Sequence, residues 1–132
     1  MFNHVMIGTD DLEKSAAFYE KVLGVLGARS PMMHDNATGQ TRALFSHDGA
    51  VLILTTPIDG QPASCANGST IGLRCNSPEQ VKELHDAAVA AGGTSIEDPP
   101  GPRDGGALGT LHLCYFRDLD GHKICGIHRA AA

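Results

Sequence analysis

The sequence predicts an α+β fold: two βαβββ modules forming an open, barrel-like eight-stranded sheet around a central cavity. Three observations carry this. First, HVMIGTDDLEKSAAFYEKVLGVLG from His4 aligns without a gap on TIGLRCNSPEQVKELHDAAVAAGG from Thr70, an offset of 66 (4 to 70). Second, Asp48-Gly49 and Asp120-Gly121 repeat at an offset of 72 (48 to 120), so six residues (72 − 66) have entered the second half, within EDPPGPRDGGALG. Third, each half changes its hydrophobic period from two to 3.6 and back.

The elements follow in order. Residues 2 to 9 alternate as a strand, Asp10 and Asp11 offer helix caps, and Leu12, Ala16, Tyr19, Leu23 and Leu26 recur at helical spacing until Gly27. A weak strand is expected around Ser30 to His34. A hairpin then turns on Asp48-Gly49, a dipeptide suited to a type I′ loop. In the second half Ser77 caps, Pro78 suits the first helical position and Gln80 completes a capping-box spacing. Val81, Leu84, Ala88 and Ala91 make the stripe before Gly92-Gly93. A weak strand at Thr94 to Glu97 and a hairpin on Asp120-Gly121 close the unit. The modules span about 1–58 and 68–130 of a single domain covering 1–132.

Composition narrows the function. Ten Lys and Arg against fifteen Asp and Glu give a formal charge of −5, with no basic run to follow a phosphate backbone, so nucleic acid is excluded as a partner. No segment approaches the ~20 apolar residues of a membrane span, and the N-terminus lacks a signal-peptide pattern. The expectation is a cytoplasmic protein without a membrane partner. Cys65, Cys75, Cys114 and Cys125 form no C-x-x-C pair and are expected to be free thiols in a reduced compartment.

Two modules that cover one sheet face with helices leave the other faces to enclose a hollow, the natural place for a ligand. Val5, Ile7, Ile71 and Leu73 form the apolar set facing the helices. His4, Met6, Thr70, Gly72 and Arg74 therefore face the hollow. The same alternation sends Lys123 and Cys125 inward and Ile124 to the packed side. If paired residues across each Asp-Gly turn sum to an odd number, Arg42 and Leu44 join Val51 and Ile53 in the hollow. His112, Cys114 and Phe116 likewise join Cys125, while Tyr115, Arg117, His122 and His128 point away. Asp118 and Asp120 are turn residues. His34, His47 and His85 need no functional explanation.

FNHVMIGTDDLEKSAAFYEKVLGVLG, GGTSIEDPPGPR and YFRDLDGHKICGIH together resemble the glyoxalase, bleomycin-resistance and ring-cleaving dioxygenase superfamily, the vicinal oxygen chelate proteins. The last segment is close to the family's R-D-P-D-G-N-x-I-E ending. The resemblance covers most of the chain and implies a homodimer. It also implies four metal-ligand positions, which fall here on His4, Ile53, Thr70 and Cys125. Only His4 is a standard ligand, because Ile53 has no donor, Thr70 is a weak neutral one, and Cys125 stands where an acid usually serves. A relocated set of His4, Cys125 and either His112 or Cys114 would suit a soft divalent ion such as zinc or nickel.

Arg42 and Arg74, assigned to the hollow with no carboxylate beside them, point to an anionic small-molecule ligand, and Arg103 joins them if the Pro-Gly segment acts as a lid. The leading expectation is a glyoxalase-like small-molecule-binding protein with a degenerate metal site and an anionic or carbonyl-containing ligand. Lyase or isomerase chemistry would use His4 as ligand or base and Cys125 as a thiol nucleophile activated by Lys123 or Arg74. The alternatives are a non-catalytic sequestering protein with Phe116, Leu44, Met6 and Ile53 as apolar walls, or a metalloenzyme, dioxygenase or lyase, at the relocated site. No cofactor is expected at the family's usual metal positions.

Overall fold

The computed structural model describes residues 1–130. The first module runs β1 (His4–Gly8), α1 (Leu12–Val25), β2 (Met32–Asp35), β3 (Thr41–His47) and β4 (Ala50–Thr55). The second runs β5 (Ile71–Arg74), α2 (Pro78–Ala90), β6 (Thr94–Ser95), β7 (Gly101–Asp104), β8 (Thr110–Arg117) and β9 (Lys123–Arg129). These form two mixed sheets, ordered β1-β4-β3-β2 and β5-β9-β8-β6, with β7 also paired to β8. The α+β fold and its two-module plan agree with the sequence, but the strand number does not. The inserted segment supplies the difference: Gly101–Asp104 pairs with β8 as a fifth strand, so a stretch expected to be a lid is partly sheet.

Local signals account for both helices. Asp11 caps α1 by accepting from the Lys14 amide, and Ser77 caps α2 by accepting from the Gln80 amide at 3.1 Å. Gln80 does not reach back to Ser77. Its Oε1 accepts from the Asn76 amide at 2.7 Å, and its Nε2 donates to the Val25 carbonyl at 3.1 Å, tying the start of α2 to the end of α1. Gly27 and Gly92 leave the helices at φ 95° and 103°, conformations that a side chain would strain. The first hairpin turns on Asp48 and Gly49, both at positive φ, as a type I′ loop requires.

Both helices and one face of each sheet share a single core. It joins Phe18, Tyr19 and Val22 to Phe45, Leu54, Leu84, Cys114, Phe116 and Ile124. Phe18 meets Phe116 edge-on at 6.3 Å between ring centres, so α1 of the first module packs on the sheet of the second. Gly126 permits the approach of α2, because a Cβ there would lie 2.8 Å from both Leu84 Cδ2 and Cys114 Sγ. His85 holds the short β6 to α2 by bridging Asp86 at 3.1 Å and Ser95 at 2.8 Å. Among the described residues no helix is long and apolar enough to cross a membrane.

Strand register decides which side chains face away from the helices, on what we call the open face. In the first sheet His4 pairs with Val51, Met6 with Ile53, Leu44 with Ile53 and Arg42 with Thr55. Ala43, Phe45 and Leu54 take the core face. All of these positions follow the expected alternation. In the second sheet the expected parity fails: Tyr115 pairs with Cys125, and Phe116 with Ile124. His112, Cys114 and Phe116 therefore lie on the helix side, and Leu113, Tyr115 and Arg117 share the open face with Lys123 and Cys125.

The cause is the loop. Five residues, Asp118 to His122, separate β8 from β9, against two in the first hairpin. Asp118 builds this longer loop. Its Oδ1 accepts from the amides of Asp120 and His122 at 3.0 and 2.9 Å, and its Oδ2 accepts from the Tyr19 hydroxyl at 2.5 Å. Two further bonds fasten the loop to the first module: the Asp10 amide donates to Asp120, and His122 Nε2 lies 2.7 Å from the Gly8 carbonyl oxygen. An aspartate read as an ordinary turn residue is thus a buried anchor between modules, only 5 % exposed.

Burial also gives the core a pH limit. Desolvation raises the Cys75 thiol from its ordinary value of 9.0 to about 11 and the Cys114 thiol to about 12. The Tyr19 hydroxyl is held well above its ordinary 10.0, first by burial and then by Asp118. A raised folded value means that the native state keeps protons the unfolded chain releases. The associated stability is complete below about pH 9 and is lost as pH rises through the folded values. Urea midpoints should be level through neutral pH and fall from about pH 9 upward, well before lysines titrate. A midpoint that holds to pH 11 would contradict this burial of the thiols.

Candidate functional site

The site is built from the open faces. On the first sheet, His4 and Met6 of β1 stand beside Val51 and Ile53 of β4, followed by Leu44 and Arg42 of β3. His4 is exposed, and its Nδ1 lies 2.7 Å from Asn3 Oδ1. Ile53 is 8 % exposed between its neighbours. The nearest side-chain partner of Arg42 is the Thr55 hydroxyl, at 3.4 Å from Nε.

On the second sheet, Cys125 lies between Gly72 of β5 and Tyr115 of β8. Arg74 is exposed at the edge, and Thr70 is exposed just before β5. Lys123 places its ammonium 4.8 Å from the Tyr115 ring centre and pairs with Glu97. Arg103 also lies on this face, but Nη2 donates to the carbonyls of Pro99 and Asp98 at 2.8 and 3.1 Å. Its side chain staples its own loop instead of reaching across the face.

These positions settle several sequence expectations. His112 sits on the helix side, 6.2 Å from His128 between ring centres, and cannot share a metal with Cys125 on the opposite face. Cys114 is excluded for the same reason. Phe116 is a fully buried core residue, not an apolar wall of a ligand site. Among the described residues, no three His, Cys, Asp or Glu side chains converge as a metal ion would require. The Cys125 thiol is not activated, because burial raises its pKa and outweighs the opposing effects of a Tyr115 hydrogen bond and the Lys123 ammonium.

Tyr115, Arg117 and Glu97 are open-face or neighbouring residues that the sequence reading missed. A signal for them was present. Phe45 corresponds to Phe116 at an offset of 71 (45 to 116), whereas Ile53 corresponds to Cys125 at 72 (53 to 125). The change of offset across the turn marks the altered loop and reverses the parity of β8.

Charge is distributed unevenly over this surface. Arg42, Arg74, Arg103, Arg117, Lys123 and Arg129 occupy open-face positions, six of the ten lysines and arginines in a chain of net charge −5. Among the described residues, the only acids within strands, Asp35 and Asp104, pair with Thr41 and Thr110 on the other parity. Glu97 alone reaches in, from the connection between β6 and β7, to Lys123.

The model of the glyoxalase/bleomycin resistance protein/dioxygenase superfamily matches residues 1–125. The chain belongs to that superfamily. A crystal structure of a glyoxalase/bleomycin resistance protein from Albidiferax ferrireducens T118 is 48% identical with a TM-score of 0.88, over 98% of this chain and 99% of that one. A probable lactoylglutathione lyase of Vibrio cholerae serotype O1 is 29% identical over 126 residues, 92% of this chain and 85% of the relative. The fosfomycin resistance protein FosX of Listeria monocytogenes, solved with Mn(II) and sulfate ion, shares the fold at 15% identity, with a TM-score of 0.69 over 98% and 93% of the two chains.

The family's metal positions can now be tested against the donors present. His4 supplies an imidazole, Ile53 supplies hydrocarbon, Thr70 a neutral hydroxyl and Cys125 a single buried thiol. A hard divalent cation needs several anionic or imidazole donors around one point. This set does not fit, and no chemical step is derived through a metal.

Proposed function

We propose that this chain binds a small anionic molecule on the open faces of its sheets, without a metal at the family's usual positions. The observation that carries this reading is the gathering of arginines on those faces, away from the chain's many acids. Arg42 and Arg74 have no carboxylate partner among the described residues. A guanidinium so placed is available for bidentate bonding to a carboxylate or phosphate. The protein acts as a homodimer. Support for this comes from β1, which presents Met6 at 38 % exposure and leaves its strand edge unpaired among the described residues. A second copy covers this surface and completes the hollow around the ligand.

A second reading, lyase or isomerase activity, is favoured by the 29% identical curated relatives named as probable lactoylglutathione lyases. The donor set argues against the metal-dependent form of it. In a chelator-containing buffer, a panel of small carboxylates, phosphates and phosphonates should include at least one compound that raises the melting temperature. For that compound, Arg42→Gln and Arg74→Gln should each weaken binding about 10-fold or more, the loss of a charge-assisted hydrogen bond. Binding that needs added divalent metal, or that is indifferent to both substitutions, would sink this reading.

A further inference from the structure

The open face of the second sheet ends in a cavity of about 400 Å³, formed by two stretches of chain that approach from opposite sides. One is the linker Cys65 to Ser69, which leads into β5. The other is the β8–β9 hairpin, contributing Arg117, Gly121 and Lys123. Arg117 and Lys123 are directly paired across the hairpin, so both side chains leave the sheet at the same place. Lys123 is matched by Glu97. Arg117 is matched by no carboxylate among the described residues. It donates Nη1 to the Gly121 carbonyl at 2.8 Å, which fixes the guanidinium and leaves most of its five N–H donors unused. The Asn67 amide and Ser69 hydroxyl are neutral donors on the opposite wall. Gly121, at φ 92°, brings the hairpin close to the linker: a Cβ there would stand 3.4 Å from Cys65 Sγ.

We infer that this cavity is an anion-binding subsite, taking the carboxylate or phosphate end of a small molecule, with Arg117 as its principal contact. The inference rests on the open face being the ligand surface and locates the anionic end of the ligand on it. A fixed guanidinium without a counter-charge, set in a concave place, attracts anions more strongly than the same group on a flat surface. The rest of the molecule would then extend along the face toward Cys125 and Arg74.

Cys65 is a built-in reporter, since it is exposed whereas Cys75, Cys114 and Cys125 are buried. The full-length protein is alkylated with iodoacetate and, separately, with iodoacetamide, and the modification of Cys65 is followed by mass spectrometry. The ratio of the two rates should exceed that of a short cysteine peptide by about threefold or more, and the excess should shrink as salt is raised. Inorganic phosphate or acetate, compared with chloride at equal ionic strength, should slow the iodoacetate reaction. Protection by phosphate alone assigns a phosphate end, and protection by acetate assigns a carboxylate.

Arg117→Gln should return the rate ratio to the peptide value, while Lys82→Gln, on the exposed side of α2, should retain it. A wild-type ratio equal to the peptide's, with neither anion protecting, would overturn the subsite. These wild-type measurements stand even if Arg117→Gln disturbs the hairpin. They are also separable from the wider reading, because indifference to Arg42 and Arg74 would remove the face as a ligand surface without changing the behaviour of Cys65.

Discussion

Phe116→Ala should lower the stability of the fold by about 3–5 kcal/mol, as large-to-small changes of a buried aromatic do. Phe116 has 0 % exposure and meets Phe18 edge-on, so its removal opens a void where α1 of the first module packs on the second sheet. Urea denaturation checks this, with the midpoint falling and the slope unchanged. The result also tests the register of β8. On the open face, the same truncation would cost about 1 kcal/mol and act mainly on ligand binding.

Asp118→Ala should cost about 3 kcal/mol or more, because it removes the acceptor for three donors at once: the Tyr19 hydroxyl and the amides of Asp120 and His122. The buried hydroxyl would be left without a partner, and the five-residue loop would lose the carboxylate that shapes it. Tyr19→Phe should cost less, about 1–2 kcal/mol, since the carboxylate keeps its two backbone donors. The double variant should be less destabilised than the two effects added together, because the residues share one hydrogen bond. Strict additivity in denaturation experiments would mean that the bond does not couple the modules.

Much of this architecture is legible in the chain because its signals are local and repeated. Ser77-Pro78 and Gly92-Gly93 bound a helix by capping chemistry alone, and Asp48-Gly49 carries its turn type in two residues. The faces of β1, β3 and β4 follow from alternation once that turn is known. The β8 face depends instead on a tertiary partner. Tyr19, ninety-nine positions away, holds Asp118 in a longer loop, and an odd change in loop length, five residues against two, reverses an entire strand. Alternation in TLHLCYFR offers no correction, since both of its faces carry apolar groups.

The candidate site divides along the same line. Arg42 and Arg74 stand on strands with well-signalled registers and are found on the open face. His112 and Phe116 stand on the strand with the misleading loop and are not. The Arg103 side chain, read as part of a lid, depends on carbonyls that only the folded loop brings within reach.

The most direct test of the central claim, an anion site independent of the family's metal, is the metal content of tag-free protein. It is measured by elemental mass spectrometry after incubation with nickel, zinc or manganese and extensive dialysis. Metal far below one ion per chain is expected, with no difference between the native protein and the His4→Ala and Cys125→Ser variants. About one retained ion per chain, lost in both variants, would contradict it and return His4 and Cys125 to a common metal centre.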